Sequence, residues 1–173
     1  MNMHTLRWTG LLWLTSLSLA CQDGSGPQDS EQSDIGHDAH SGIVHYSESC
    51  GEPGETYTAG MSHTGDLGAI EFVLVSSDPA PPDKGVNVFT IQVTDLSTGV
   101  AIDGATVPIT PFMPEHGHGT NPENYETEPT GEAGSYQSVP IDLFMSGLWD
   151  LTFTVQSGDT VLDQTTFSFC LEG

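Results

Sequence analysis

VNVFTIQVTDLSTG, residues 86–99, decides the fold. Val86, Val88, Thr90 and Gln92 alternate with Asn87, Phe89, Ile91 and Val93. A period of two is the mark of a β-strand, whose successive side chains point to opposite faces. LSTG then reads as a turn, because Gly and small hydroxyl residues favour one. The same grammar extends outward in both directions. GAIEFVLVSS (68–77) precedes it as a β-rich run, and VAIDGATVPITPF (100–112) follows with an Asp-Gly turn at 103 and 104. GSYQSVPIDLF (134–144), GLWDLTFTVQ (147–156) and VLDQTTFSFCLE (161–172) are further strands, with SGDT as a turn between the last two. In the 147–156 strand, Leu148, Leu151, Phe153 and Val155 are expected on the core side, with Trp149 as a core residue rather than a ligand contact. Short strands punctuated by Gly, Asp and Pro, with no amphipathic helix and no internal repeat, specify an all-β, immunoglobulin-like antiparallel β-sandwich. Residues 50–173 suffice for one such core.

The beginning of the chain is of another kind. MNMHTLR carries Arg7, WTGLLWLTSLSLA is apolar apart from Thr, Ser and Gly, and Ala20 stands before Cys21. A basic start, an apolar run and a small residue before the cut form a secretory signal. The run is shorter than the roughly 20 residues a membrane span requires. LSLAC (17–21) resembles the lipobox of bacterial lipoproteins, with Ser18 where Leu is usual. That resemblance implies a lipoprotein-type signal peptide over 1–20, lipidation at Cys21, and a chain held by membrane at the cell envelope, facing the periplasm or exterior. Residues 22–49 are rich in Asp, Ser, Gly, Gln and Glu and lack periodicity. The segment 21–49 is therefore expected to be an acidic, disordered linker. As a flexible coil it spans roughly 30 Å, enough to hold a domain clear of a membrane. His37, His40 and His45 lie in it and are expected to be solvated.

With Cys21 set apart, Cys50 and Cys170 remain. An even pair in an exported protein reads as a disulfide. A bridge there staples the first segment of the 50–173 domain to its last strand. In the chain-entropy account such a long loop contributes up to about 4–5 kcal/mol.

The charge balance excludes one class of partner. The chain holds 24 acids against 2 basic residues, a formal net charge of −22. Every acid lies after residue 20, and removal of a leader containing Arg7 leaves Lys84 as the one Lys or Arg. Nucleic-acid binding needs a basic face, so none is expected.

One stretch departs from the strand-and-turn grammar. FMPEHGHGTNP (112–122) packs Met113, His116 and His118 between prolines and glycines. Pro111 and Pro114 disfavour helix. In an extended segment His116 and His118, two apart, face one side, and Gly117 and Gly119 let the chain bend around an ion. Thioether and imidazole are soft and borderline ligands that suit copper, and Cu(I) over Cu(II); Ca²⁺ and Mg²⁺ want oxygen, and zinc rarely takes Met. Met145, before a Ser-Gly turn that opens a strand, is the candidate fourth ligand.

The run DKGVNVFTIQVTDLSTGVAIDGATVPITPFMPEHGHGT, continued by NPENYETEPTGEAGSYQSVPIDLFMSGLWDLTFTV, resembles the YtkA-like domain over about 83–169. The matching features are the Asp-Gly-Ala-x-Val strand, the MPxHGHG loop, and the Gly-x-Tyr and Met-x-Gly-x-Trp strand starts. The resemblance implies a secreted or membrane-anchored immunoglobulin-like sandwich. It puts Met113, His116, His118 and Met145 in copper-facing positions, with a respiratory oxidase or another copper protein as partner.

Two other readings compete with a non-enzymatic copper domain. One is an extracellular structural or protein-interaction module, in which MPEHGHG is a Pro/Gly turn with solvated histidines. The other is a zinc hydrolase built from His-x-His with Glu115, Glu123 or Glu126, but no HExxH or GxSxG motif supports it.

Overall fold

A computed structural model describes Cys50 and residues 54–173. The signal peptide over 1–20, the linker over 21–49 and Cys21 lie outside the described residues. Ten strands form two antiparallel sheets with no helix among the described residues. In chain order they are β1 (Met61–Thr64), β2 (Ile70–Asp78), β3 (Gly85–Asp95), β4 (Ile109–Met113) and β5 (His118–Gly119), then β6 (Thr127–Pro129), β7 (Ser135–Ser138), β8 (Ile141–Leu143), β9 (Gly147–Ser157) and β10 (Thr160–Leu171). One sheet runs β1-β2-β3-β7-β6, with β8 pairing the start of β3; the other runs β10-β9-β4-β5. The expected all-β antiparallel sandwich is what forms.

The opening stretch does what its alternation dictates. Asn87, Phe89, Ile91 and Val93 of β3 are fully buried. Phe89, Ile91 and Val93 meet Phe72 and Leu74 of β2 and Trp149, Leu151, Phe153 and Val155 of β9 in one core. Each such large apolar side chain stabilises by about 1.5–3 kcal/mol relative to exposure. Phe153 stands edge-on to both Phe89 and Phe167, a preferred aromatic geometry. Trp149 shares the inward phase of β9 with Leu151; Leu148 is of opposite phase and is nonetheless buried, at the strand's first turn.

Two long runs are broken, 134–144 where one strand was expected and 100–112 about its expected Asp-Gly turn. Pro140 cannot donate to a ladder, and it splits 134–144 into β7 and β8, which pair with different stretches of β3. The 100–112 run is strand only from Ile109. Its first part is pinned instead by a side-chain lock. The Tyr136 hydroxyl donates to the Ile102 carbonyl at 2.7 Å and accepts from the Ala105 amide at 3.2 Å. The Asp103 carboxylate accepts from the Gly134 amide at 2.7 Å. Gly134 has φ +66°, and a Cβ there would sit 2.6 Å from the Val93 carbonyl oxygen.

A bulge between Val161 and Asp163 resets the phase of β10, so that Asp163 points inward. Its carboxylate is fully buried and takes four backbone amides. Leu67 and Gln164 donate to Oδ1 at 2.8 and 2.9 Å, and Ala69 and Ile70 donate to Oδ2 at 2.9 and 3.1 Å. Burial pushes the acid's pKa up, but the four amide bonds together outweigh it and hold the carboxyl below its usual range.

β10 is also the outer strand of its sheet, and an open edge invites pairing with another chain. Here the preceding segment covers it. Asp66 and Glu55 amides donate to the Gln164 and Ser168 carbonyls at 2.8 and 2.6 Å. The Ser168 amide donates to Glu55 Oε1 at 2.9 Å, and His63 Nδ1 donates to the Thr166 carbonyl at 3.1 Å. His63 Nε2 meets Glu55 Oε2 at 2.7 Å, while its ring stacks on Phe167. Cys50 and Cys170 are bridged as the sequence indicated, with Cα atoms 6.0 Å apart and a separation of 120 residues.

Candidate metal-binding rim

Three of the four candidate ligands, Met113, His116 and His118, lie on the β4–β5 hairpin, and Met145 lies between β8 and β9. Residues 114–117 form the hairpin turn, closed by the His116 and Gly117 amides, which donate to the Met113 carbonyl at 3.2 and 2.9 Å. Gly117 ends the turn with φ +68°, a conformation that suits glycine. β5 then runs so close to β4 that a Cβ on Gly119 would lie 2.4 Å from the Pro111 carbonyl oxygen. The segment holding His116 is thus a tight turn, one of the two non-helical conformations, extended or turning, that its prolines allow. The two imidazoles are still neighbours, with centroids 5.6 Å apart and planes tilted by 47°. Turn geometry, not strand periodicity, brings them together.

Met113 and His118 are cross-strand partners, so their side chains leave the same face of the sheet. Met113 is fully buried in the core, directly beneath the rim; His116 and His118 are exposed. Met145 is half-buried and packs on the same core. The turn that carries it is fastened by Trp149, whose Nε1 donates to the Met145 carbonyl at 2.9 Å. Its neighbour Phe144 stacks on His118, with centroids 6.2 Å apart and planes within 13°. The 144–145 turn and the hairpin therefore meet at one end of the sandwich. Sequence reasoning passed over Phe144. Its signal was a large aromatic residue in the outward phase just after buried Leu143.

The available donors restrict the chemistry. His118 and Glu123 both line a shallow groove on the hairpin with Thr110 and Phe112. Among the described residues, however, no three His, Cys, Asp or Glu side chains are grouped as a metal cage would need. Without such a cage, the further donors the sequence offers at this end are the Met113 and Met145 thioethers. Such a donor set is neutral and soft, and it fits copper better than zinc or calcium.

An antiparallel β-sandwich domain with a Met/His hairpin at one end is the class that fold and rim define. A family model described as YtkA-like matches residues 66–154, and the chain belongs to that family. The match begins earlier than the resemblance read from the motifs and takes in β2. No curated protein and no solved structure matches the chain. Several shared motif residues have structural work here: Asp103 and Tyr136 lock the 102–105 turn, and Trp149 closes the Met-x-Gly-x-Trp turn.

Proposed function

We propose that this is a non-enzymatic, lipid-anchored domain of the bacterial cell envelope that holds copper, as Cu(I), at the rim formed by Met113, His116, His118 and Met145. The observation that carries the reading is the convergence of the hairpin and the 144–145 turn, with the two imidazoles 5.6 Å apart. Two rings each bound at about 2.0–2.1 Å to one ion have centroids roughly 3.2 Å from it, so this spacing suits a shared ion at an angle of about 120°. Met113 beneath His118 supplies a thioether from the interior side, and Met145 one from the facing turn. An exposed rim allows exchange, which suits delivery to a respiratory oxidase or another copper protein as well as sequestration. The lipid at Cys21 would keep the domain at the membrane, on a tether long enough to reach a partner. The acidic chain favours a cation at long range.

The test is a competitive Cu(I) titration under reducing conditions, using the chain from residue 21 with Cys21→Ser. Trp149, the one tryptophan outside the leader, serves as a fluorescent reporter. Stoichiometric binding lost in His116→Ala/His118→Ala and kept when residues 22–49 are deleted is the expected result. Saturation at 100 times the Kd should add about 2.7 kcal/mol to stability. Binding indifferent to both histidines would refute the assignment. The second reading is an interaction module without metal. It is favoured by Phe112 and Phe144, which remain 41% and 47% exposed at this same end.

A further inference from the structure

One nitrogen of His118 is already committed. Nδ1 lies 3.1 Å from the Gly119 carbonyl oxygen. A carbonyl only accepts, so Nδ1 carries the hydrogen and Nε2 keeps the lone pair. This reverses the preference of an unconstrained imidazole, which favours the hydrogen on Nε2. A single bond from an exposed ring to its own chain neighbour is a weak constraint, because rotation about the side-chain torsions breaks it. The ring needs a second contact to hold it in place.

Phe144 supplies that contact. It lies nearly parallel to the imidazole and is itself held edge-on to Trp149, at 5.8 Å and 75°. Trp149 is fully buried and hydrogen-bonded to the Met145 carbonyl. A rigid series of contacts thus runs from the core to the rim. Core packing alone does not explain Phe144, whose ring is nearly half exposed. We propose that Phe144 is a positioning residue that clamps the His118 imidazole in its Nδ1–H form and presents Nε2 as the metal-binding atom. The proposal rests on the copper reading above for its purpose, but the clamp itself can be measured without metal.

The experiment uses the chain from residue 21 with Cys21→Ser, ¹⁵N-labelled and metal-free, at about pH 8, above the ordinary imidazole range near 6.5. Long-range ¹H–¹⁵N spectra report the tautomer of each histidine, and the His118 signals are identified by their loss in His118→Gln. The wild-type chain should show His118 protonated at Nδ1, with its ring protons shifted upfield by the stacked Phe144. Phe144→Leu, which keeps apolar bulk without a ring, should abolish the shift and mix the tautomers; Phe144→Tyr should preserve both. Cu(I) titration should show about tenfold weaker binding in Phe144→Leu and recovery in Phe144→Tyr, the scale on which groups behind a ligand act. An Nε2–H tautomer in the wild type, or a Phe144→Leu spectrum identical to it, would overturn the clamp. Unchanged Cu(I) affinity in Phe144→Leu would overturn the clamp's role in presenting Nε2 to metal. A wild-type chain that binds no Cu(I) would sink the copper reading and with it the clamp's purpose, while the metal-free spectra would still decide whether Phe144 sets the tautomer.

Discussion

Replacing Asp163 with Asn tests whether a buried anion organises the β1–β2 connection. The side chains are nearly isosteric, so the change is one of charge and donor pattern. In the native domain each carboxylate oxygen accepts two amides, Leu67 and Gln164 on one side, Ala69 and Ile70 on the other. An amide side chain can serve only one of these pairs. Its NH₂ group would face the other two donors, leaving both unsatisfied in a buried site. At about 1–3 kcal/mol for each orphaned donor, the loss should be about 3–5 kcal/mol. For a domain of this size that lowers Tm by roughly 10–15 °C. Urea unfolding followed by Trp149 fluorescence would measure it, with the slope against urea serving as the check that unfolding remains two-state. The pH dependence has a definite sign. The folded-state pKa lies below the ordinary value of 3.8. The carboxylate's contribution is therefore complete above the unfolded value and disappears as pH falls through the folded one. The gap between wild type and Asp163→Asn should narrow below about pH 4. A neutral-pH loss under 1 kcal/mol, or a gap that widens in acid, would refute the account.

Other perturbations probe the hairpin and the staple. Gly119→Ala forces a Cβ onto the Pro111 carbonyl oxygen, so β5 must separate from β4. A loss of about 1–3 kcal/mol should accompany displaced His118 resonances in NMR; an undisturbed spectrum would show that the hairpin yields easily. Serine at both Cys50 and Cys170 should cost about 2–5 kcal/mol. It should also raise hydrogen exchange at the Ser168 amide, and protection retained there would mean that the Glu55 contacts hold the edge unaided.

The parts of the fold legible in the sequence were those with period two over many residues. β3 and β9 could be placed from this alternation, and the core face of β9 named from Leu151, Phe153 and Val155. The disulfide was legible because setting Cys21 apart left one pair. β1, β5 and β6 were not legible. Each is four residues or fewer, too short for a periodicity, and each exists because a neighbour offers an edge. The inward turn of Asp163 depends on a bulge, and a bulge is an agreement between two strands that neither sequence carries alone. At the rim, proximity of His116 and His118 was legible from their spacing, although the turn and not an extended strand produces it. Phe144 escaped notice because its contact with His118 joins the β4–β5 hairpin to the connection between β8 and β9, which are distant in sequence.

The bridge between Cys50 and Cys170 has a mechanical consequence. A protein tethered at one end and drawn by a partner at the other carries tension along its backbone. In this chain a pull arriving through residue 49 reaches Cys50 and crosses to Cys170 by a covalent step. The 119 residues between them, including every strand up to the last turn of β10, lie off the line of force. Tension applied between the two ends of the chain would strain the stretches outside the bridge and leave the residues inside it unstretched, whereas a pull on the Met/His rim, which lies inside the bridge, would load the strands themselves.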